Sequence, residues 1–427
     1  MTILWLVSIT LPAAAAACGL AAREVGGGWL TGQLDALQAL PDAPRLVIAN
    51  VEPRVASRTI GGTGNTRFAL LPDGTEETFA ALLRSVHPDL VHIWGTEYPA
   101  AATLQQVAQA AEVPVLIGMQ GVMRDCAAHL CDGVPPRYRG SNGFQRFVDR
   151  FVPGALLDKM QANFDALAES EASVLRQAHH VTGRTRFDRA AVSLLAPSAR
   201  YYLCNETLRP NFYAPPQWRP HSIGSAPVLL LTQGNYPLKN LHTLLQALPA
   251  VCKVYPDLRV RIAGWPPLDK GPLLRPIIRQ MFPYQTYCRK LAHKLGVADR
   301  IEYTGPLQEA DMRQAYLDAD LFVLPSFSEN SPNSLGEAML LGLPCVASRV
   351  GGIPDLLDDG REGVLYGPAG NPEALSAALL RVLGMPDHGA ALGRAAAQRA
   401  QDTHDPVRNA RTLYRIYEQI LTEEVPA

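Results

Sequence analysis

The sequence lacks several features that mark common classes of protein. It has no excess of either charge, because 39 Lys and Arg side chains face 40 Asp and Glu, so it has no bulk electrostatic reason to bind nucleic acid. Its seven cysteines are scattered from Cys18 to Cys345 without a CxxC pair, which fits reduced thiols in a cytosolic protein better than a disulfide framework. No HExxH or Cys/His cluster with metal-ligand spacing appears, so no metal is expected.

The N-terminus lacks the positive charge of a secretory signal. The apolar stretch MTILWLVSITLPAAAAAC ends at Cys18, as in a lipoprotein signal, but no Lys or Arg precedes Arg23, and no apolar run reaches the length of a membrane span. The preferred interpretation is a buried first strand from Ile3 to Ile9, then a loop and the glycines 26–28, which open the helix WLTGQLDALQAL. A signal peptide remains the alternative to a cytoplasmic protein.

Strand and helix signals alternate along the whole chain. The runs RLVIAN, LVHIWG and VPVLIG precede the Pro-rich passage YAPPQWRP, and VLLLTQG, LRVRIAG, IEYTG, LFVLPS and PCVAS follow it. This order predicts two Rossmann-like α/β domains with parallel sheets, residues 1–215 and 216–400. The last segment, 401–427, has apolar residues at helical spacing and should pack on a core. Ligands of such sheets bind beyond the carboxyl ends of the strands.

Turn-forming residues follow the strand LFVLPS, where the next helix is about to begin. In the stretch SENSPNSLGEAMLLG, Asn333 or Ser334 is expected to cap a helix whose first turn includes Leu335. The free N–H groups and the dipole at such a start favour an anion, by about 1 kcal/mol at an exposed site, and a diphosphate fits. Glu337, one turn inside, can accept hydrogen bonds from vicinal sugar hydroxyls, and Glu329 would face the other end of the ligand.

The stretch from Glu329 to Glu337, with AMLLGLPCVAS and VGGIPDLLDDGREGVLY behind it, resembles the Glu-x7-Glu signature of the retaining family 4 glycosyltransferases. The resemblance covers essentially all of the second half of the chain and, more loosely, the first. It implies the GT-B fold, with two Rossmann-like domains facing a central cleft and a C-terminal helix that crosses back to the first domain. It also implies that Glu337 binds the ribose of a nucleoside-diphosphate sugar and that Glu329 contacts the transferred sugar near its reacting carbon.

The same resemblance assigns a cation to the departing diphosphate. Lys239, in LTQGNYPLKNL, matches the family's lysine, whereas residues 233–235 stand where the family usually has an arginine. Arg184 and Arg209 are both candidates to replace that arginine. Either could instead pair with a nearby carboxylate, and the sequence leaves the choice open.

The resemblance also implies that several glycines and one threonine contact the nucleotide of the donor. Gly264, Thr304 and Gly305 end two strands of the second half, where the nucleobase of the family's donor packs against backbone groups. Gly27 and Gly28 would let the main chain of the first half approach the diphosphate.

Other polar residues have two interpretations each. Gln120 stands nearest to the position where many relatives have a histidine that holds the sugar. His92 and Glu97 either orient the acceptor or belong to helix packing. Asp318 and Asp320 look like a metal-binding DxD, but they follow a helix and precede a strand, so we expect a solvated pair at a helix terminus.

The resemblance implies retaining transfer of a sugar from a UDP-, GDP- or ADP-sugar, without cofactor or metal, to a glycan or lipid-linked acceptor in bacterial surface polysaccharide synthesis. Basic and aromatic residues from Tyr138 and from Arg275 onward fit either peripheral contact with the inner face of a membrane or ordinary helix packing. Two alternatives stay open. One is a two-lobed periplasmic solute-binding lipoprotein, and the other is a GT-B epimerase or inactive partner subunit.

Overall fold

The computed structural model describes residues 1–21, 28–62, 64–150, 155–220, 226–264 and 279–423. The chain divides into two compact units, one of residues 1–123, 166–210 and 403–427, and one of residues 124–165 and 211–402. Residues 124–165, which the sequence analysis assigned to the first domain, therefore group with the second unit. The physical reason is packing, because Val134 and Leu157 are buried in the hydrophobic core of the second unit.

The sheet of the first unit, within the described residues, has the strand order β3-β4-β2-β1-β5-β6-β7-β8. All neighbours are parallel except the edge pair β3 and β4. The strands are β1 (Thr2–Val7), β2 (Arg45–Val51), β3 (Thr59–Gly61), β4 (Thr66–Leu71), β5 (Leu90–Trp94), β6 (Val115–Gly118), β7 (His180–Gly183) and β8 (Arg200–Leu203).

The sheet of the second unit, again among the described residues, has the order β11-β10-β9-β12-β13-β14 and is parallel throughout. The strands predicted from VLLLTQG to PCVAS all form. Its strands are β9 (Val228–Leu231), β10 (Arg259–Ala263), β11 (Ile301–Gly305), β12 (Leu321–Leu324), β13 (Cys345–Ser348) and β14 (Val364–Tyr366).

Helices connect the strands in both units. They are α1 (Pro12–Ala17), α2 (Gly28–Gln38), α3 (Glu76–Val86), α4 (Pro99–Ala110), α5 (Met123–His129), α6 (Pro136–Arg139), α7 (Gly143–Val148), α8 (Leu157–Arg176), α9 (Arg186–Leu195), α10 (Leu241–Val254), α11 (Pro283–Lys294), α12 (Glu309–Leu317), α13 (Asn333–Leu341), α14 (Ile353–Leu356), α15 (Pro372–Leu383), α16 (Ala390–Thr403) and α17 (Pro406–Glu423). None of the helices described is long and apolar enough to cross a bilayer.

The first strand shows why the strand sequences are unbroken runs of apolar residues. Ile3 and Trp5 point into one core of the first unit, and Leu4 points into the core on the opposite face of the sheet. Helices cover both faces, so every position from Ile3 to Val7 is buried. The strand ends at Val7 rather than at Ile9. The predicted loop after it is wrong in part, because the alanine run forms α1, with Pro12 at its first turn and the residue type of highest helix propensity behind it.

The last helix packs on the first unit. Its apolar stripe, which includes Leu413, Ile416 and Ile420, shares a core with Leu30 and Leu34 of α2. The predicted return of the C-terminal helix to the first domain is thereby confirmed.

A buried polar contact fixes this helix on the sheet. Trp5 Nε1 donates a hydrogen bond to the Tyr417 hydroxyl at 2.9 Å, and that oxygen lies 2.8 Å from His92 Nδ1. Burial lowers the pKa of His92 to about 3, so its ring is neutral and shares one hydrogen bond with the Tyr417 hydroxyl. His92 is therefore a packing residue, which decides between its two interpretations.

The Tyr417→Phe variant is expected to lose about 2 kcal/mol or more of stability, because Trp5 Nε1 and His92 Nδ1 are then buried without their partner. Urea unfolding followed by circular dichroism measures the change. Tyr414→Phe, on the same helix and partly exposed, is the control and should change little. Equal effects of the two variants would contradict the contact's role.

Candidate functional site

The strand order of the second unit places its switch point between β9 and β12. From β9 the chain moves outward to β10 and β11, then returns to β12 on the other side of β9. Ligands of open α/β sheets bind at the carboxyl ends of the strands where the order reverses. The loops that leave these two strands, residues 232–240 and 325–332, carry Lys239 and Glu329.

These two residues are in direct contact. Lys239 Nζ lies 2.6 Å from Glu329 Oε1, and the Ser326 hydroxyl donates to the same carboxylate oxygen at 2.7 Å. Their side chains are only 16 % and 10 % exposed, so solvent screens the pair weakly. Burial is the largest single influence and lowers the pKa of Lys239, but the Glu329 carboxylate and the Tyr236 hydroxyl together raise this pKa above its usual value. The Tyr236 hydroxyl is a second hydrogen-bond partner of this lysine.

Asn240, directly after Lys239, holds the two loops together. Its side-chain amide donates to the carbonyls of Pro325 and Ala369, both at 2.9 Å. The residue is fully buried and has a left-handed backbone, with φ of 55°. Asparagine tolerates this conformation better than most residues. Asn240 was not predicted from the sequence, although an asparagine after a short turn is a signal for such a position.

Two further contacts fix the loop of Glu329. The Ser348 hydroxyl, at the end of β13, donates to the Ser326 carbonyl at 2.6 Å. The backbone N–H of Gly352 donates to the Glu329 carbonyl at 3.0 Å. The segment VGGIP thus supports Glu329 through main-chain hydrogen bonding. Residues that follow β9, β12 and β13 all contact the loop that carries this glutamate.

The start of α13 differs in detail from the prediction. The N-cap is Pro332, which makes no side-chain cap, so the predicted cap at Asn333 or Ser334 is wrong. Both residues already lie in the first helical turn, because Gly336 N donates to the Pro332 carbonyl at 3.2 Å. Leu335 is fully buried, and its N–H also donates to that carbonyl, at 3.0 Å, so it has no N–H to offer a ligand.

The helix tip is nevertheless accessible. Asn333 and Ser334 are half-buried, and Pro332 has no side-chain acceptor for their N–H groups. Among the described residues Asn333 Oδ1 is buried without a hydrogen-bond partner. Glu337, one turn inside, is 5 % exposed and lies 3.4 Å from the Tyr316 hydroxyl, which donates to the Ser334 carbonyl at 3.0 Å.

The glycines that end β10 and β11 meet through their main chains. Gly264 N donates to the Gly305 carbonyl at 2.8 Å, and the two residues have φ of 119° and 76°. Only glycine adopts such backbone easily. The Thr304 hydroxyl also donates to the Gly305 carbonyl, at 3.0 Å. The contact of these three residues with a nucleobase stays a prediction.

In the first unit the two arginine candidates have different surroundings. Arg184 is buried in an ion pair with Glu206 and donates to the carbonyls of Met119 and Gln120. This structural role removes it as a replacement for the missing arginine. Arg209 is half-buried, and a Cβ placed on Gly28 would lie 2.5 Å from its Cδ, which accounts for glycine at the start of α2. Gly27 lies outside the described residues.

The DxD-like pair was predicted to be solvated, and this is wrong for Asp320. Asp318 is exposed at the end of α12, but Asp320 is 5 % exposed and its Oδ2 accepts a hydrogen bond from Val228 N at 2.8 Å. It joins the first residues of β9 and β12. Within the described residues no group of three or more His, Cys, Asp or Glu side chains could hold a metal ion.

Residues of α5 reach the same loop. The Ser328 hydroxyl donates to Asp125 Oδ2, and Cys126 Sγ lies 3.6 Å from the Ser328 oxygen. Burial raises the pKa of the Cys126 thiol to about 11, which keeps it protonated and unreactive. The sequence analysis did not connect these residues, because about 200 positions separate them.

A cavity of about 400 Å³ lies at the corresponding edge of the first sheet. The switch point of that sheet is between β1 and β5, and the cavity is bordered by residues after those strands. The lining includes Val7, Ser8, Val51, Gly74, Tyr98 and Ala100. A larger cavity, about 650 Å³, lies between α3 and α4 at the amino ends of the strands, where this rule places no ligand.

Comparison with known proteins agrees with this geometry. Residues 227–385 match the family described as Glycosyl transferases group 1. They are a group 1 glycosyl transferase domain. The span contains both switch-point loops and α13, and the predicted family resemblance is confirmed for it.

Curated relatives match over part of their length. The D-inositol 3-phosphate glycosyltransferase of Corynebacterium glutamicum (strain R) is 31% identical over 190 residues, which are 44% of this chain and 42% of the relative. The protein of that name from Streptomyces griseus subsp. griseus is 34% identical over 169 residues, 39% of this chain and 33% of the relative. The chain thus spans less than half the length of these relatives.

Solved structures match the chain from end to end. Sucrose-phosphate synthase from Thermosynechococcus elongatus has a TM-score of 0.67 at 17% identity and covers 99% of this chain and 100% of its own. Anabaena Alr3699/HepE, in complex with UDP and glucose, has a TM-score of 0.63 at 16% identity and covers 98% and 100%. The predicted fold, two Rossmann-like domains of the GT-B type, is confirmed.

The Asn240→Ala variant of the glycosyl transferase domain is expected to lose about 2 kcal/mol or more, because two carbonyls lose their donor and alanine resists the left-handed backbone. Asn240→Gly removes the same hydrogen bonds but adopts that backbone freely, so it should lose about 1 kcal/mol less. Chemical unfolding of both variants gives the two contributions. If Asn240→Gly were as stable as the natural chain, the hydrogen bonds would not matter.

Proposed function

We propose that the chain is a retaining, metal-independent glycosyltransferase that moves a sugar from a nucleoside-diphosphate sugar to a glycan or lipid-linked acceptor. The observation that carries the proposal is the contact between Lys239 and Glu329 at the switch point of a group 1 glycosyl transferase domain. UDP-sugars come before GDP- and ADP-sugars as donors, because one matched structure is a complex with UDP-glucose.

Lys239 is the cation for the leaving diphosphate. An ammonium has three N–H donors, and Glu329 and Tyr236 take two of them. The third remains for a phosphate oxygen, so the lysine can bind the donor without releasing the glutamate. Its charge would stabilise the diphosphate as negative charge builds on it.

The proposed role of Glu329 is to stabilise the sugar as its bond to phosphate breaks. The Glu329 carboxylate forms an ion pair with Lys239, and an anion near the reacting carbon favours an oxocarbenium-like transition state. In the proposed step the bond from the anomeric carbon to the phosphate oxygen breaks. The acceptor oxygen then bonds to that carbon from the same face, which retains the configuration, and its proton passes to the departing phosphate. No separate catalytic base is needed.

The tip of α13 is the proposed diphosphate site, with Asn333 and Ser334 as its N–H donors. Glu337, behind it, would accept hydrogen bonds from the ribose hydroxyls, and such bonds would compensate the burial of its carboxylate. Gly264, Thr304 and Gly305 are the proposed neighbours of the nucleobase. The donor is then bound mainly by backbone groups and by one buried acid.

The acceptor is proposed to enter the first unit through the cavity at the carboxyl ends of β1 and β5. Its walls are largely apolar, and Ser8 and Tyr98 provide the polar groups. Such a mixture suits a sugar ring, which has apolar faces and a rim of hydroxyls. This proposal includes no role for His92, whose ring is in the core.

The alternatives predict different behaviour. A solute-binding lipoprotein would bind sugar without turnover, and it gives no reason for a buried Lys and Glu at the switch point. An epimerase or inactive partner subunit would not release the nucleotide in the presence of any acceptor. Nucleotide release across a panel of UDP-, GDP- and ADP-sugars separates these functions.

The Lys239→Ala variant is expected to lower kcat about a hundredfold or more, because the leaving group loses a charged donor. Glu337→Gln should mainly raise KM for the donor. Lys253→Ala, an exposed lysine at the end of α10, is the control and should keep full activity. The measurement is nucleotide release in the presence of EDTA, with Asp318→Asn as a second control. Full activity of the Lys239→Ala variant would contradict the proposed mechanism. Loss of the natural chain's activity in EDTA would contradict it as well.

The Ala100→Phe variant is expected to raise KM for the acceptor about tenfold, because the new side chain fills the cavity of the first unit. Donor hydrolysis without acceptor should not change. Ala110→Phe is the matched control, since Ala110 lies on the same helix but lines the larger cavity at the amino ends of the strands. A rise in acceptor KM for Ala110→Phe alone would place the acceptor in the other cavity.

A further inference from the structure

Two segments of the second unit are strongly basic. Residues 135–150 and 279–294 together contain eight Lys and Arg side chains and a single carboxylate, that of Asp149, although the charges of the whole chain nearly balance. No other feature of the proposed reaction uses these side chains. We call the two segments together the basic surface.

The two segments are neighbours in the fold although about 130 residues separate them. The rings of Tyr138 and Tyr287 pack with centroids 5.2 Å apart. The Gln145 side chain donates to the Gln280 carbonyl at 2.7 Å. The charge of both segments is therefore concentrated in one part of the second unit.

Most cations of the basic surface point to solvent. Among the described ion pairs none includes Arg137, Arg139, Arg150 or Arg279, and all four side chains are exposed. The carboxylate of Asp149 already pairs with Lys159. The surface thus keeps a net positive charge that its own acids do not cancel.

Two phenylalanines project from the same surface. Phe144 and Phe147, three positions apart on α7, are 50 % and 59 % exposed. Residues at this spacing share one side of a helix. They are the most exposed aromatic side chains among the residues described, whose other aromatics are all buried or half-buried. Neighbouring exposed aromatic side chains form an apolar patch, and contiguous apolar patches on a surface can mark interaction sites.

We propose that the basic surface binds an anionic lipid membrane, with the arginines on the headgroups and Phe144 and Phe147 inserted between them. A soluble polyanion would account for the cations but would leave the phenylalanines in water. An uncharged apolar partner would account for the phenylalanines but not for the cations. A membrane interface satisfies both, because it offers anionic headgroups above apolar chains. The proposal does not depend on the proposed reaction.

The test is sedimentation of the full chain with vesicles of phosphatidylcholine, with and without phosphatidylglycerol. Binding is expected only to the vesicles that contain phosphatidylglycerol, and it should weaken as salt is added. The double variant Phe144→Ala/Phe147→Ala should bind about tenfold more weakly, since it loses its apolar anchor. Arg279→Glu, on the second segment, should weaken binding about fivefold or more, because each cation near an anionic surface contributes about that factor.

Controls come from other exposed residues of the chain. Leu194→Ala and Val254→Ala remove exposed apolar side chains elsewhere, and Arg394→Glu reverses an exposed charge. All three should bind vesicles like the natural chain. Donor hydrolysis in solution should be the same in every variant, which shows that each is folded. The proposal would be overturned if the natural chain did not bind anionic vesicles, or if the control substitutions weakened binding as much as the test substitutions. It would also be overturned if the chain bound single-stranded RNA as tightly as vesicles and the double phenylalanine variant bound that RNA equally well.

Discussion

The arrangement of the second unit depends on one buried contact of opposite charges, that between Lys239 and Glu329. Each residue follows a different strand at the point where the strand order reverses. Removing one partner of such a pair costs about 3–5 kcal/mol, because the other charge stays buried without compensation. The pair therefore ties the two loops into a single surface, and the proposed chemistry and the stability of this surface rest on the same two side chains.

The same sheet geometry governs both units. In each sheet the chain first adds strands on one side of a central strand and later adds strands on its other side. That central strand is β1 in the first unit and β9 in the second. The reversal leaves a gap beyond the carboxyl ends, because the flanking loops turn away from each other. One gap holds the charged pair, and the other holds a cavity with mostly apolar walls. Two units of similar topology thus offer different chemistry through the residues of a few loops.

Local patterns were enough to predict the sheets and the two charged loops. Apolar runs between turn formers identified the strands, because a strand buried on both faces has no polar positions. Contacts between distant residues could not be predicted in this way. The grouping of residues 124–165 with the second unit rests on buried side chains such as Val134 and Leu157. The contact of Ser328 with Asp125 joins residues 203 positions apart.

Predictions for individual residues were wrong where a main-chain group makes the hydrogen bond that was expected of a side chain or of water. The start of α13 needs no hydroxyl or amide cap, because the Pro332 carbonyl receives the N–H groups of Leu335 and Gly336. Asp320 resembled a solvated acid because its neighbour Asp318 is one, yet it bonds to the main chain of Val228.

Pro332 has one more consequence for binding. Its ring fixes φ, so fewer conformations of the turn before α13 have to be lost when the chain folds. The turn that leads into the helix start is thus restricted without any ligand. The anion proposed to bind at this tip would therefore lose less affinity to the entropy of ordering the turn.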